Sequence, residues 1–233
     1  MGLMRINNWD IALCNARLWN VTIGHCDLAN QSTISDASLI PVLVSGQVEL
    51  KKVMLTLLVK GDNRDHIIRN RSTLLSKFLN PVTLEMDWFS HTFYGVMTKH
   101  SETENSKRKF HTVKIEFEGV EISEEAQSVL DKKEMTLHIP GNLPAPVVLE
   151  ITPIEGTSIL TVSGCSNDPI IIKKTNRGKK IIIDGLTGKM TEDGVNKAAD
   201  IEIWELPRLM PGENTITLDY AADITVCYQA RYI

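Results

Sequence analysis

Apolar and polar side chains alternate with a period of two along much of this chain, and a single segment breaks into a helical period. Val82, Leu84, Met86 and Trp88 point one way while Thr83, Glu85 and Asp87 point the other, the pattern of a strand with one dry and one wet face. Val53, Leu55, Leu57 and Val59 alternate with Lys52, Met54, Thr56 and Leu58, and Val113, Ile115 and Phe117 with Lys114, Glu116 and Glu118. The exception follows Gly61. Asp62 and Asn63 are good N-cap types, and Ile67, Ile68, Leu74, Leu75, Phe78 and Leu79 recur at helical spacing. Asn80-Pro81 is expected to stop this helix, because a residue before proline avoids the helical region. Phe93 to Met97 reads as a further strand, entered through Phe89-Ser90-His91-Thr92, and the polar run Ser101 to Lys109 as an exposed hairpin loop. The pattern is that of a mainly β protein with one helix, α+β in class.

At 233 residues the chain has room for one large domain or two small ones. From Glu121 the character changes: charged residues cluster up to Glu134, and Ile139-Pro140-Gly141-Asn142-Leu143-Pro144-Ala145-Pro146 forms a stiff, helix-excluding neck. We therefore expect a β-sandwich with a helix over 1–137, a Pro-rich neck over 138–146 and a second β-sandwich, of jelly-roll type, over 147–233. The second half offers only short strands: 147–151, 159–162, 170–173, 180–184, 201–204, 215–218 and 224–228. Asn176-Arg177-Gly178 is read as a hairpin turn joining two isoleucine-rich strands, and Pro211-Gly212 as another turn.

Charge and cysteine usage exclude several functions. With 25 Lys+Arg against 29 Asp+Glu, a net of −4, the chain does not look built to coat phosphate backbones, and no sequence-specific nucleic-acid binding is expected. Cys14, Cys26, Cys165 and Cys227 stand too far apart for a zinc knuckle or a CxxC motif, so they read as small thiols, with disulfides left open. No apolar run approaches the ~20 residues of a membrane helix, and the opening residues are too quickly polar for a secretory leader. Membrane insertion is not expected.

Candidate chemical sites are weak. All six histidines precede the prolines of the neck, which removes a His-dependent triad from the second domain. His91, His100 and His111 lie on or beside the meander but lack metal-ligand spacing, and are read as strand histidines. Gly185-Leu186-Thr187-Gly188-Lys189 resembles a phosphate loop, yet Ile183 occupies the first glycine position and Met190 the hydroxyl position, so a connecting turn is the better reading. Asp184, Glu192 and Asp193 lack the calcium-loop spacing. Trp204, flanked by Ile201, Ile203 and Leu206, is read as core; the alternative makes it a sugar platform with Tyr220, Tyr228 and Tyr232. The basic runs Lys107-Arg108-Lys109 and Lys173-Lys174 with Arg177, Lys179 and Lys180 read as solvated loop tips. No catalytic, cofactor or metal residues are assigned, and no enzyme is expected.

Several segments, taken in order, resemble the distal tail protein family of long-tailed bacteriophages and prophages. They are Asn15 to Val21, Gln47 to Val53 with Val59-Lys60-Gly61, the helix from Arg64 to Leu75, Pro81 to Leu84, and Phe93 to Val96. In the second half they are Gly141 to Pro146, Ile181 to Gly185, the run Leu206-Pro207-Arg208-Leu209-Met210-Pro211-Gly212-Glu213-Asn214, and Tyr228 to Tyr232. The resemblance implies a structural virion component at the tail tip, or baseplate, assembled in the bacterial host cytoplasm. It implies a first domain that closes head to tail into a homo-hexamer ring, with the tail tube protein on one side and a tail-associated tip protein on the other. It also implies galectin-like outer domains on which receptor-binding proteins dock. Galectins hold sugars with a His, Arg, Asn, Trp and Glu constellation, and with no histidine in the second domain the galectin-like fold implies no lectin activity here. The mild acidity suits a ring through which DNA slides. The competing reading is a carbohydrate-binding module for host-surface attachment.

Overall fold

A computed structural model describes residues 3–26, 28–34, 41–105, 109–130 and 133–233. The chain divides into two compact units, the first ending at Ile122 and the second spanning Ser123–Tyr232.

The first unit is built from β1 (Met4–Ile6), β2 (Trp9–Asp10), β3 (Ala16–Ile23), β4 (Leu28–Ile34), β5 (Pro41–Val48), β6 (Lys51–Lys60), α1 (Arg64–Ser76), β7 (Val82–Met86), β8 (Thr92–Asn105) and the start of β9 (Phe110–Leu130). Seven of these strands pair antiparallel in the order β3-β6-β9-β8-β7-β1-β2. The alternating residues that the sequence marks as buried do face one core: Val53, Leu55, Leu57 and Val59 of β6 meet Val113, Ile115 and Phe117 of β9 and Val82, Leu84 and Met86 of β7. Residues from both halves of the sheet fill one cluster, so the sheet folds over on itself as a sandwich does. Gly95 and Gly119 lie opposite each other where β8 crosses β9, and a Cβ on Gly119 would sit 2.3 Å from the Tyr94 carbonyl oxygen. Only glycines permit that approach of the two backbones.

The helix starts where its cap predicts. Asn63 is extended and its Oδ1 accepts the His66 N–H at 2.8 Å, while Asp65 puts a negative charge on the first turn. It ends at Ser76, earlier than the expected stop at Asn80-Pro81. Lys77 and Phe78 donate to the carbonyls of Leu74 and Leu75 in a tighter turn, which buries Phe78 and leaves Leu79 exposed. Trp88 also departs from its expected face: β7 ends at Met86, and Trp88 sits exposed in the turn that follows.

The polar run from Ser101 is strand rather than loop. β8 and β9 stay paired out to Asn105↔Phe110, and Arg71 and Arg64 of α1 pair with Glu102 (2.5 Å) and Glu104 (3.3 Å) on β8. The tip, with Lys107 and Arg108, lies outside the described residues, and Lys109 is exposed.

The second unit takes the last residues of β9, from Ser123, and then β10 (Glu134–Ile139), β11 (Ala145–Pro153), β12 (Ile159–Ser163), β13 (Ile170–Lys173), β14 (Ile181–Asp184), β15 (Met190–Glu192), β16 (Val195–Asn196), β17 (Ile201–Glu202), β18 (Arg208–Leu209), β19 (Gly212–Leu218) and β20 (Ala222–Tyr232). One sheet runs β16-β15-β14-β11-β20 with the end of β9 beyond, and the other runs β10-β19-β12-β13-β17. Ser123 seals the first of these: its Oγ accepts the Ala230 N–H at 3.0 Å. The start of the expected neck and the residues before it are ladder residues of this unit, with Leu137 opposite Asn214 and Ile139, inside the neck, opposite Gly212. The division of the chain thus falls earlier than the prolines, because the segment from Glu134 satisfies its backbone groups within the second sandwich.

The isoleucine-rich strands are not hairpin partners. β13 pairs with β12 and β17, whereas β14 pairs with β11 and β15. The segment around Asn176-Arg177-Gly178 crosses from one sheet to the other, held by Thr175 N–H to the Thr157 carbonyl (2.9 Å) and Gly178 N–H to the Pro153 carbonyl (2.9 Å). Ile170, Ile172, Ile181 and Ile183 therefore meet face to face across the core, which buries them all.

Candidate functional site

Two kinds of site are on view: buried polar clusters and exposed surfaces that a single copy leaves uncovered. Lys51 at the start of β6 reaches Glu121 on β9, Nζ to Oε2 2.7 Å, and His91 Nδ1 lies 2.5 Å from the other oxygen of Glu121. The Lys51 and Glu121 side chains are only 10% and 12% exposed. Burial pushes the Glu121 carboxyl up, but the hydrogen bonds from Lys51 and His91 outweigh it and hold the group below its ordinary value. His100 lies exposed on β8 and His111 is buried on β9 beside Val59 and Glu104, so the three meander histidines do not converge. In the second unit, buried Lys197 donates to Glu192 at 3.0 Å and to the Lys174 carbonyl at 3.0 Å, and Asn176 donates to the same carboxylate. Both clusters are closed, with each charge answered by a fixed partner.

The remaining sequence candidates resolve into structure. Asp184 Oδ1 accepts the N–H groups of Leu186 (2.8 Å) and Thr187 (3.1 Å), so Gly185 to Lys189 is an Asx-type turn. These bonds, with that of the Thr187 hydroxyl, overcome the effect of burial and lower the Asp184 carboxyl. Asp193 Oδ1 accepts Lys180 N–H at 3.0 Å. Three of the five cations in the basic run of the second unit are paired: Lys173 with Glu202, Lys174 with Asp200 and Lys180 with Glu150. All four cysteines are free thiols; Cys14 and Cys165 are buried while Cys26 and Cys227 are half-buried. Desolvation pushes the Cys165 thiol up to about 12. Among the described residues no His, Cys, Asp and Glu cluster has the makings of a metal site, and no helix is long and apolar enough to cross a membrane.

Trp204 contradicts the core reading. β17 ends at Glu202, and the bend that follows turns the indole outward until it is 87% exposed. The apolar neighbours misled because Ile203 and Leu206 lie beyond the strand, where alternation no longer assigns faces.

The larger surface is one that periodicity did not disclose. β3 and β6 form a hairpin whose strands continue, past a Gly24 N–H to Lys52 carbonyl bond of 2.8 Å, into a separate two-stranded ribbon of β4 and β5. Ala29 to Thr33 and Val44 to Gly46 are exposed, with Val44 at 64% and Val48 at 44%. A bulge between Gln31 and Ser32 twists the ribbon. Among the described residues no third strand pairs with this ribbon, and a two-stranded ribbon alone is marginal in water. Its strands mix apolar and polar residues without a steady period of two, with Val42, Leu43 and Val44 in succession on β5.

Residues 140–232 match the family described as siphovirus-type tail component, C-terminal domain. Over the whole chain, the fold is similar to that of the SPP1 Dit protein, a paradigm of the hub adsorption apparatus in phages infecting Gram-positive bacteria. That match covers 100% of both chains at 10% identity with a TM-score of 0.76. It is also similar to a chain of the phage P2 baseplate in its activated conformation with Ca (12% identity, 100% of both chains, TM-score 0.63). The same baseplate with Sr gives 13% identity, 100% of both chains and a TM-score of 0.64. No curated protein matches the sequence. The resemblance read from the sequence is thus supported at two levels: most of the second unit matches a tail-component domain model, and the whole chain has a fold similar to that of these proteins.

Proposed function

We propose that this protein is a structural hub of a phage tail tip, closing head to tail into a six-membered ring that joins the tail tube to a tail-associated tip protein. In this reading the second units project outward and carry receptor-binding proteins, and the ring is assembled in the bacterial host cytoplasm before it becomes part of the virion. The observation that carries the proposal is the whole-chain likeness to the SPP1 Dit fold, joined to the tail-component match over residues 140–232. The ribbon supports it physically. A ring needs a heterologous interface in which one patch of each copy meets a different patch of the next, and an exposed, unsupported β-ribbon is an arm suited to that task. The closed polar clusters agree with a structural rather than a chemical role.

The arm gives the test. Val44→Lys with Val48→Lys places charge on exposed positions of the ribbon and leaves both cores untouched. Sedimentation of the unaltered protein should report a closed multimer, and the double variant a monomer with an unchanged melting temperature. Equal mass for the two proteins would overturn the role of the ribbon.

A further inference from the structure

Most sheet edges of the second unit are blunted. β16 and β17 are two residues long, and the end of β9 carries the exposed charges of Glu124 and Glu125. β10 is different. Among the described residues it pairs with β19 alone, and it runs six residues in unbroken register with no proline, lysine or bulge. The Leu218 N–H donates to the Lys133 carbonyl at 2.8 Å, which makes 133 and 218 a hydrogen-bonded pair of the ladder. Such pairs alternate along an antiparallel ladder. Met135, Leu137 and Ile139 therefore bond to β19, and the backbone N–H and C=O groups of Glu134, Thr136 and His138 point away from it. The side chains agree: the hydroxyls of Thr136 and Thr215 lie 3.3 Å apart, the close approach of a pair that is not hydrogen-bonded through its backbone. Glu134, Thr136 and His138 are exposed, while Met135 and Leu137 are half-buried against the core.

We propose that β10 is a docking edge for the β10 of a second copy, the two strands running antiparallel about a two-fold axis at Thr136. The strand is complementary to itself. An axis at Thr136 sets Glu134 opposite the second copy's His138, Met135 opposite its Leu137, and Thr136 opposite its Thr136. The facing pairs 134 with 138, 136 with 136 and 138 with 134 then exchange two backbone bonds each, which satisfies every outward N–H and C=O of both strands. On the exposed face a carboxylate meets an imidazole at both ends, and on the other face Met135 and Leu137 extend each core across the axis. A slip of two residues, the smallest that keeps the same groups facing, separates Glu134 from His138. An unrelated extended segment would have to supply this pattern, whereas a second copy carries it already. Such a contact is isologous, so it lies outside a head-to-tail ring and joins copies of different rings or free copies; it stands apart from the hub reading. Six residues a side is far below the about 20–30 of a stable complex, so the contact opens at micromolar concentration, where the unassembled chain is weighed as single copies.

The test traps the contact covalently. Thr136→Cys in the full chain leaves the core untouched and places two thiols across the axis, at the ~5.5 Å Cα separation of a hydrogen-bonded pair, which a disulfide spans. Mild oxidation should give a dimer linked through position 136 of both chains, formed about tenfold or more faster than with Ser72→Cys, an exposed position on α1. Trapping should proceed as fast when Val44→Lys and Val48→Lys are present in the same chain. Adding His138→Glu sets carboxylates against each other and should slow trapping about fivefold, and adding Glu134→Lys as well should restore it. Trapping no faster than with Ser72→Cys, or indifferent to His138→Glu, overturns the contact. A thiol at position 136 that links to another tail protein and never to its own copy overturns it too, by making the edge a seat for a different chain. Rings that fail to form while trapping persists would count against the hub reading alone.

Discussion

Replacing Lys51 with methionine tests whether the first unit is held at its closed charge cluster as the geometry implies. The Lys51–Glu121 pair, at 2.7 Å and with both side chains about nine-tenths buried, has a gross attraction of roughly 6 kcal/mol at an effective dielectric of about 20. Most of that offsets the cost of taking two ions out of water. The larger consequence of Lys51→Met is that the Glu121 carboxylate stays buried with only half-exposed His91 beside it, a situation that costs about 3 kcal/mol. For a unit of this size that corresponds to a fall in melting temperature of roughly 10 °C. Three of the four tryptophans, Trp9, Trp19 and Trp88, lie in the first unit, so tryptophan fluorescence during urea or thermal unfolding reports chiefly on it. Lys51→Met with Glu121→Leu leaves no buried ion and should recover to within about 1 kcal/mol of the parent. The pH dependence has a definite sign. The Glu121 carboxyl is depressed in the fold, so its contribution is present above the unfolded value near ~4.3 and is lost as pH falls through the folded value. The gap between parent and Lys51→Met must therefore narrow in acid. A single variant within about 0.5 kcal/mol of the parent, or a gap that is flat from neutral pH into acid, would refute the reasoning.

Gly119→Ala should lower the urea midpoint by the equivalent of about 1–3 kcal/mol, because its new methyl must displace the β8 backbone, beginning with the Tyr94 carbonyl at 2.3 Å; an unchanged midpoint would mean that the strands do not cross so closely. Buried Cys165, with its thiol pushed up to about 12, should resist iodoacetamide near neutral pH until the protein is unfolded, as should Cys14, also raised chiefly by burial. Mass spectrometry after native labelling checks this, and modification of Cys165 at the unfolded rate would contradict its burial.

What was legible in the sequence was whatever alternation or capping writes locally. The faces of β6, β7 and β9, the helix start at Asn63 and the positions of most second-half strands could be read from residue spacing alone, since each depends on neighbours two to four residues away. Pairing partners could not. The isoleucines of β13 and β14 carry the same pattern whether they form a hairpin or face each other across a core, and only the tertiary arrangement decides. The hairpin arm of β8 and β9 gives no strand signal because its side chains are polar on both faces, and the ribbon of β4 and β5 gives none because its apolar residues keep no period of two. Trp204 failed for the opposite cause, since its apolar neighbours suggested a strand that ends two residues too soon. The buried Lys51–Glu121 and Lys197–Glu192 pairs join residues 70 and five positions apart, and nothing in either spacing marks them as buried.

The central claim, a ring-forming hub, is tested most directly by electron microscopy of the purified protein, read for the symmetry of its particles. The account predicts closed rings with six-fold averages, broken into single copies by Val44→Lys with Val48→Lys. Single particles at every concentration examined, or open filaments that never close, would contradict it.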